Sequence, residues 1–264
     1  MEPQIRYLAV LSDKPDDLAD FYGRHLGMAE LGRSNEGDIS LSDGFYNLTL
    51  FNRRPELGEP KMELGLHHVG LAVDSISDVL SRYRAYDRNG LAIPEPGGLH
   101  YGTMRIFDPE ANPITLSEGN FGVEAPERRF PRIVHIALNA LCPQKIFDFY
   151  CEILGFREVG ANLLYRHRGK VNCFAGDGVT NLAIHPFYSE SEGHEARFGI
   201  NHFGFLVDDQ DRKLKALADM LSVTERPDDR PFAEYRVHDP EGNKFDLSQS
   251  KGWEVDFGKW DIVA

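Results

Sequence analysis

The chain has 264 residues, 41% hydrophobic and 27% charged, which is room for one large or two ordinary domains with a buried core. Its 29 basic and 42 acidic side chains leave a formal charge of −13, which argues against nucleic acid and anionic membrane as partners, since both need a basic face. No apolar run approaches the roughly 18 residues of a spanning helix. The opening residues carry no basic-then-apolar leader, and the three cysteines (Cys142, Cys151, Cys173) make neither a disulfide framework nor a zinc spacing, so a cytoplasmic protein with reduced thiols is expected.

In chain order, a strand is expected over 5–11, then a helix in which Leu18, Phe21, Tyr22 and Leu26 recur at three-and-four spacing, then short strands. A second strand covers 66–73 and leads to a helix marked by Leu80 and Tyr83, with Gly90 as its stop. The charged, proline-rich stretch 120–131 reads as a linker. The third strand, 133–139, precedes a helix carrying Ile146, Phe149, Tyr150 and Leu154, and the fourth, 200–207, one carrying Leu214, Leu217 and Leu221. After Ser250 a tail interleaves Trp253 and Trp260 with charges and is expected to dock on the body of the protein rather than serve a substrate.

The chain repeats itself. Residues 6–11 (RYLAVL) lie under 134–139 (VHIALN), and the same offset puts Asp20-Phe21-Tyr22 on Asp148-Phe149-Tyr150 and Leu26-Gly27 on Leu154-Gly155. Farther on, 108–112 (DPEAN) matches 239–243 (DPEGN), and Arg105 falls on Arg236. Each half divides again into strand, helix and three strands. The expected fold is therefore α+β, with four βαβββ modules forming two tandem domains of curved mixed sheets. These span residues 1–122 and 130–250, followed by the tail 251–264. One module cannot bury both faces of its sheet, whereas two side by side curl into a cup with helices outside.

Four such modules, with Asp-Pro-Glu-Gly/Ala-Asn turns closing the second and fourth, resemble the vicinal-oxygen-chelate superfamily. That group includes glyoxalase I, bleomycin-resistance proteins, methylmalonyl-CoA epimerase and type I extradiol ring-cleaving dioxygenases. The resemblance spans roughly residues 5–250, and the four-module layout looks most like the extradiol enzymes, which keep one metal site in the C-terminal half. It implies ligands on the first and last strands of the modules. Through the repeat, those positions hold Tyr7, His68, His135 and His202 on first strands, and Thr49, Thr115, Ala183 and Asp246 on last strands. The N-terminal half thus offers no carboxylate and one imidazole, and His67-His68 reads as a relic. The C-terminal half offers His135, His202 and Asp246.

Strand alternation places each of these three opposite apolar neighbours: His135 opposite Val134, Ile136 and Leu138 and beside Ala137, His202 beside Gly204, and Asp246 opposite Phe245 and Leu247. Two imidazoles and a carboxylate on one side of an ion leave positions for a chelating substrate and dioxygen, the arrangement of non-haem Fe(II) enzymes. The plainer alternatives are hydrogen-bonded strand histidines, and an Asp246 that bonds the loop after Ser248. The resemblance is imperfect. Where the ring-cleaving enzymes usually end the triad with Glu this chain has Asp246, and where they carry a further His and a Tyr it has Thr180 or Asn181, and Arg236. Substitutes are His185, two residues beyond Ala183 on the cup side and able to act as acid or base, and Arg236, able to pair with an anionic substrate group or else a solvated strand-edge arginine like Arg105. Tyr235 should face away from Arg236. The acidic loop 186–198, with His194, is a candidate cap or a solvated connector.

The resemblance implies an extradiol-type dioxygenase that binds a catechol-like or other vicinal-oxygen substrate on Fe(II). An isomerase, epimerase or lyase using Mn, Ni, Co or Zn, and a metal-free small-molecule binding protein, are the alternatives. Self-association is left open.

Overall fold

The computed structural model describes residues 3–54, 63–95, 101–124, 126–127, 129–160, 171–187, 198–218, 222–228, 230, 232–256 and 259–260. The first half runs β1 (Gln4–Ser12), α1 (Pro15–Leu26), β2 (Ala29–Arg33), β3 (Ile39–Ser42), β4 (Asn47–Asn52), β5 (Gly65–Ala72), α2 (Ile76–Tyr86), β6 (Ile93–Pro94), β7 (Met104–Phe107) and β8 (Pro113–Ser117). The second half repeats it with β9 (Arg132–Ala140), α3 (Pro143–Leu154), β10 (Arg157–Glu158), β11 (Cys173–Gly176), β12 (Asn181–Pro186), β13 (Gly199–Leu206), α4 (Gln210–Ala218), β14 (Val223–Glu225), β15 (Tyr235–His238) and β16 (Lys244–Ser248). A small hairpin, β17 (Glu254–Asp256) and β18 (Lys259–Trp260), follows.

Each half is one eight-stranded sheet, in the order β2-β3-β4-β1-β5-β8-β7-β6 and β10-β11-β12-β9-β13-β16-β15-β14. The first strands of the two modules pair antiparallel at the centre, and each pairs in parallel with its own module's last strand. The two halves, with two modules each, therefore have the expected α+β, four-module architecture. Among the described residues no helix is long and apolar enough to cross a membrane.

α1 and α3 start at a proline, which needs no N–H partner in the first turn, and end at Gly27 and Gly155 in the left-handed conformation. The second helix ends at Tyr86, earlier than the sequence suggests; Gly90 lies beyond it, packed so closely that a Cβ there would sit 2.8 Å from the Tyr83 ring. One apolar core runs through both halves, joining Leu18, Tyr22 and Leu48 to Ile136, Tyr150 and Phe245. Each cup keeps its own smaller cluster, Tyr7, Ala9, Phe51 and Phe121 in one, Val134, Ala137, Ala183 and Trp253 in the other. Val134 is thus not on the core face that simple alternation assigns it. The β9–β13 register steps from His135 to Ile133, and this bulge at Val134 turns its side chain into the cup.

The halves are tied by exchanged polar contacts. Neither Lys14 nor Cys142 caps its helix with its own side chain. Instead Glu241 accepts the N–H groups of Asp13 and Lys14, both at 3.0 Å, and Glu110 accepts those of Leu141 and Cys142 at 2.8 and 2.7 Å. These carboxylates satisfy donors that a helix start leaves open. Tyr22 Oη donates to Asp239 at 2.7 Å across the same boundary. Asp43 accepts Ile133 N and Asp177 accepts Ile5 N, both at 2.7 Å. The repeated Asp-Pro-Glu-x-Asn turn is thereby explained. Asp folds the turn by accepting N–H groups of the residues after it, Asn closes it, and Glu reaches the other half.

Candidate active site

Five adjacent strands and the segment after them build the C-terminal cup. β9 supplies His135, β13 His202, β16 Asp246 and β15 Arg236, while β12 supplies Asn181 and His185. His135, His202, Asp246 and Arg236 are 3, 1, 2 and 5% exposed, so all four are buried.

His135 Nε2 and His202 Nε2 face each other at 3.3 Å. His135 Nδ1 lies 2.8 Å from Asn181 Oδ1, and the orientation of that amide is set because its Nδ2 donates to Glu254 O at 2.6 Å. His135 Nδ1 therefore donates, leaving Nε2 as a lone pair. His202 Nδ1 lies 2.9 Å from Asn201 Oδ1, and donation to that oxygen leaves its Nε2, too, as a lone pair. Asn201 is the extra residue of a second β9–β13 bulge, where the register steps from Ile200 to His202. Hydrogen bonding at Nδ1 is the usual device for aiming Nε2 at a cation. Two such lone pairs in contact repel unless a cation, metal or proton, lies between them.

Asp246 Oδ2 is 3.6 Å from His202 Nε2. A tetrahedral ion with ligands at about 2.1 Å separates its ligand atoms by about 3.4 Å, so both spacings suit one ion. The carboxylate is nonetheless engaged: Arg236, its cross-strand neighbour, places Nε 2.7 Å from Oδ1 and Nη2 3.1 Å from Oδ2. Among the described residues no group of three or more His, Cys, Asp or Glu is arranged to hold a metal ion. The donor set fits a cation on its imidazole side. A carboxylate has about four acceptor positions, so Arg236 does not exhaust those of Asp246.

Arg236 is thus neither solvated nor free for a substrate anion as placed, and Asp246 bonds Arg236 rather than the loop after Ser248. That loop is bonded by Glu234, which accepts the N–H groups of Gln249, Ser250 and Lys251. Tyr235 packs on the core, away from Arg236. His185 lies parallel to His202, ring centres 6.1 Å apart, and edge-on to Phe174. Asn172 Nδ2 donates to its Nδ1, which leaves Nε2 as the protonated nitrogen. Thr180 takes no part in the cup; its hydroxyl bonds Tyr46 of the other half. His194 and residues 188–197 of the acidic loop lie outside the described residues.

The sequence reading missed two groups and misplaced a third. Asn201 precedes His202 as His67 precedes His68, a bulge pair at one place in the repeat. Asn172 has no sequence signature. Trp253 does dock, as expected of the tail, but it docks in the cup: its indole stacks on His135 with ring centres 5.1 Å apart and planes at 13°.

In the N-terminal cup the equivalent places hold Tyr7, Thr49, His68 and Thr115, all buried. Burial pushes the Tyr7 hydroxyl far above its ordinary pKa despite the nearby Thr49 hydroxyl, and the Thr115 hydroxyl is buried with no hydrogen-bond partner among the described residues. Arg105, opposite Thr115, turns instead to Glu95 at 2.5 Å.

The model of the Glyoxalase/Bleomycin resistance protein/Dioxygenase superfamily matches residues 4–116 and again 132–247. The chain belongs to this superfamily. No curated protein matches the sequence. Among solved structures, the 2,3-dioxygenase LapB from Pseudomonas sp. KL28 superposes with a TM-score of 0.71 at 16% identity, covering 98% of this chain and 96% of that one. A Mn(II)-bound glyoxalase from Novosphingobium aromaticivorans gives 0.70 at 19% identity, covering 98% and 86%. Homoprotocatechuate 2,3-dioxygenase from Arthrobacter globiformis gives 0.65 at 16%, covering 92% and 78%. At these identities the likeness shows a shared fold. The superfamily member thus has two tandem domains of the glyoxalase type, and the imidazole pair occupies the second.

Proposed function

We propose that this superfamily member is a metal-dependent enzyme, with a divalent ion held by His135, His202 and Asp246 and a small substrate bearing two neighbouring oxygens. The observation that carries the reading is the facing pair of Nε2 lone pairs, 3.3 Å apart and each fixed from behind by an asparagine oxygen. A bound metal would supply Lewis acidity that holds adjacent substrate oxygens as anions and, as Fe(II), a partner for dioxygen. Ring cleavage of a catechol-like compound is the first reaction class, supported by the dioxygenases among structures that superpose along nearly the whole chain. Isomerase or lyase chemistry on Mn(II) is the next, supported by the glyoxalase.

The chain's own groups divide the work. Arg236 holds Asp246 so that one carboxylate edge faces the imidazoles. His185, with its proton on Nε2, donates to an anion formed in the cup. Burial of the site keeps water from competing for either group.

A metal-free binding protein is the second reading. It is favoured by the Arg236–Asp246 pair, which already neutralises the buried carboxylate. Elemental analysis of protein purified without added metal separates the two. The first reading expects about one ion per chain, lost in His135→Ala and in His202→Ala while the fold is kept; wild-type protein without stoichiometric metal, even after anaerobic loading with Fe(II) or Mn(II), overturns it.

A further inference from the structure

Two aromatic rings from outside the modules fill the two cups in the same manner. Phe121, just past β8, stacks on Tyr7 with ring centres 4.9 Å apart; Trp253, just past β16, stacks on His135. Each lies where a glycine makes room: a Cβ on Gly70 would be 2.7 Å from Phe121, and one on Gly204 2.7 Å from Trp253. Behind each ring an asparagine donates to the backbone of the same segment, Asn47 to Phe121 O at 2.7 Å and Asn181 to Glu254 O.

The two seats differ in their chemistry. Phe121 brings no polar atom into its cup, and its chain runs on into β9. Trp253 brings an indole N–H that is buried without a partner, a cost carried by the seated state and relieved in water. Its segment is held at its start by Glu234, which accepts the N–H groups of Gln249, Ser250 and Lys251, and at its far end through its own backbone. Val255 O accepts Gly178 N at 3.1 Å, and the chain passes so near Gly176 that a Cβ there would lie 1.6 Å from Val255 O. Gly176 has no left-handed φ, so its position demands space and not conformation. The seated ring covers one face of His135, the residue whose Nε2 the site depends on.

We propose that residues 249–256 are a strap that opens and closes the C-terminal cup, with Trp253 as its bolt. Ligands reach His135 and His202 only when the strap lifts from Gly176 and Asn181, while Phe121 stays seated in the other cup. The mechanism concerns access and holds whether or not a metal binds.

Diethyl pyrocarbonate labelling of imidazoles, followed residue by residue by peptide mass spectrometry, tests the strap with no ligand and no metal. Trp253→Ala removes the bolt. Gly176→Ala leaves the indole intact but drives the backbone of the strap away. Each is expected to speed labelling of His135 at least ~10-fold by populating the locally open state, while labelling of His68 in the other cup and the far-ultraviolet circular dichroism stay at wild-type values. In a Trp260→Phe background, Gly176→Ala should also shift the Trp253 emission to the red. Two results overturn the proposal: His135 in the wild-type protein labelled as fast as free imidazole, or a Gly176→Ala protein whose Trp253 emission and His135 labelling both match wild type.

Discussion

Arg236 grips both oxygens of Asp246 from the neighbouring strand, and the two residues sit directly opposite in the β15–β16 register. The same arginine survives in the other half as Arg105, where the opposite residue is Thr115 and the carboxylate comes instead from Glu95. An arginine in each cup finds a carboxylate, but only the second half presents one beside two imidazoles.

Removing one member of a buried ion pair strands the other. Arg236→Met should cost metal-free protein about 3–5 kcal/mol, and adding Asp246→Asn should return much of the loss. If Asp246 is a ligand, Mn(II) raises the melting temperature of Arg236→Met and not that of the double variant. Thermal unfolding with and without Mn(II) checks both statements.

His185→Asn removes the proton donor without touching the imidazole pair. Bound metal should stay at the wild-type level, and kcat on a catechol that the wild-type protein cleaves should fall ~100-fold or more, with little change in KM. Equal kcat in the two proteins would remove His185 from the mechanism.

Burial lifts the Asp177 carboxyl to about 6, against the pull of N–H donors from Ile5, Val179 and Thr180. Its folded pKa stands above the unfolded value, so the folded state holds the proton more tightly between roughly pH 4 and 6. The Asp177 contribution to stability is therefore greatest below pH 4, declines as pH rises to 6, and is flat above. Asp43, its counterpart, is raised for the same reason. Urea unfolding from pH 4 to 8 should show this decline, and Asp177→Asn should reduce its slope.

Glu241→Ala uncovers the N–H groups of Asp13 and Lys14, and Glu110→Ala those of Leu141 and Cys142. Each change should cost about 0.5–2 kcal/mol. Glu241→Gln should cost less, since an amide oxygen still accepts. Urea midpoints at constant m-value measure the difference.

The fold was legible because its signals are periodic and doubled. Leu18, Phe21, Tyr22 and Leu26 mark one helix face, and the residues equivalent to Phe21, Tyr22 and Leu26 mark another in the second half. That His135, His202 and Asp246 share one cup could be read because strand register sets which side chains face it, and the repeat transmits that register. Arg236 was legible as a residue of the site but not in its partner, because cross-strand pairing brings it to Asp246 through a turn rather than along a strand. Trp253 and Asn201 were opaque for other reasons. One acts through a segment that belongs to no module, and the other through a bulge, which breaks the alternation that a strand reading assumes.

The exchanged turns carry a consequence for how such a chain is organised. Each half presents a glutamate for a helix start it does not own, and leaves its own helix start for the other half to cover. Those are the two complementary patches of an isologous contact, in which the same surface meets its copy around a twofold axis. The single chain has the internal logic of a homodimer with its subunits joined end to end, an arrangement in which one half can keep its imidazole pair while the other holds Tyr7, Thr49 and Thr115 at the matching places without either losing its partner.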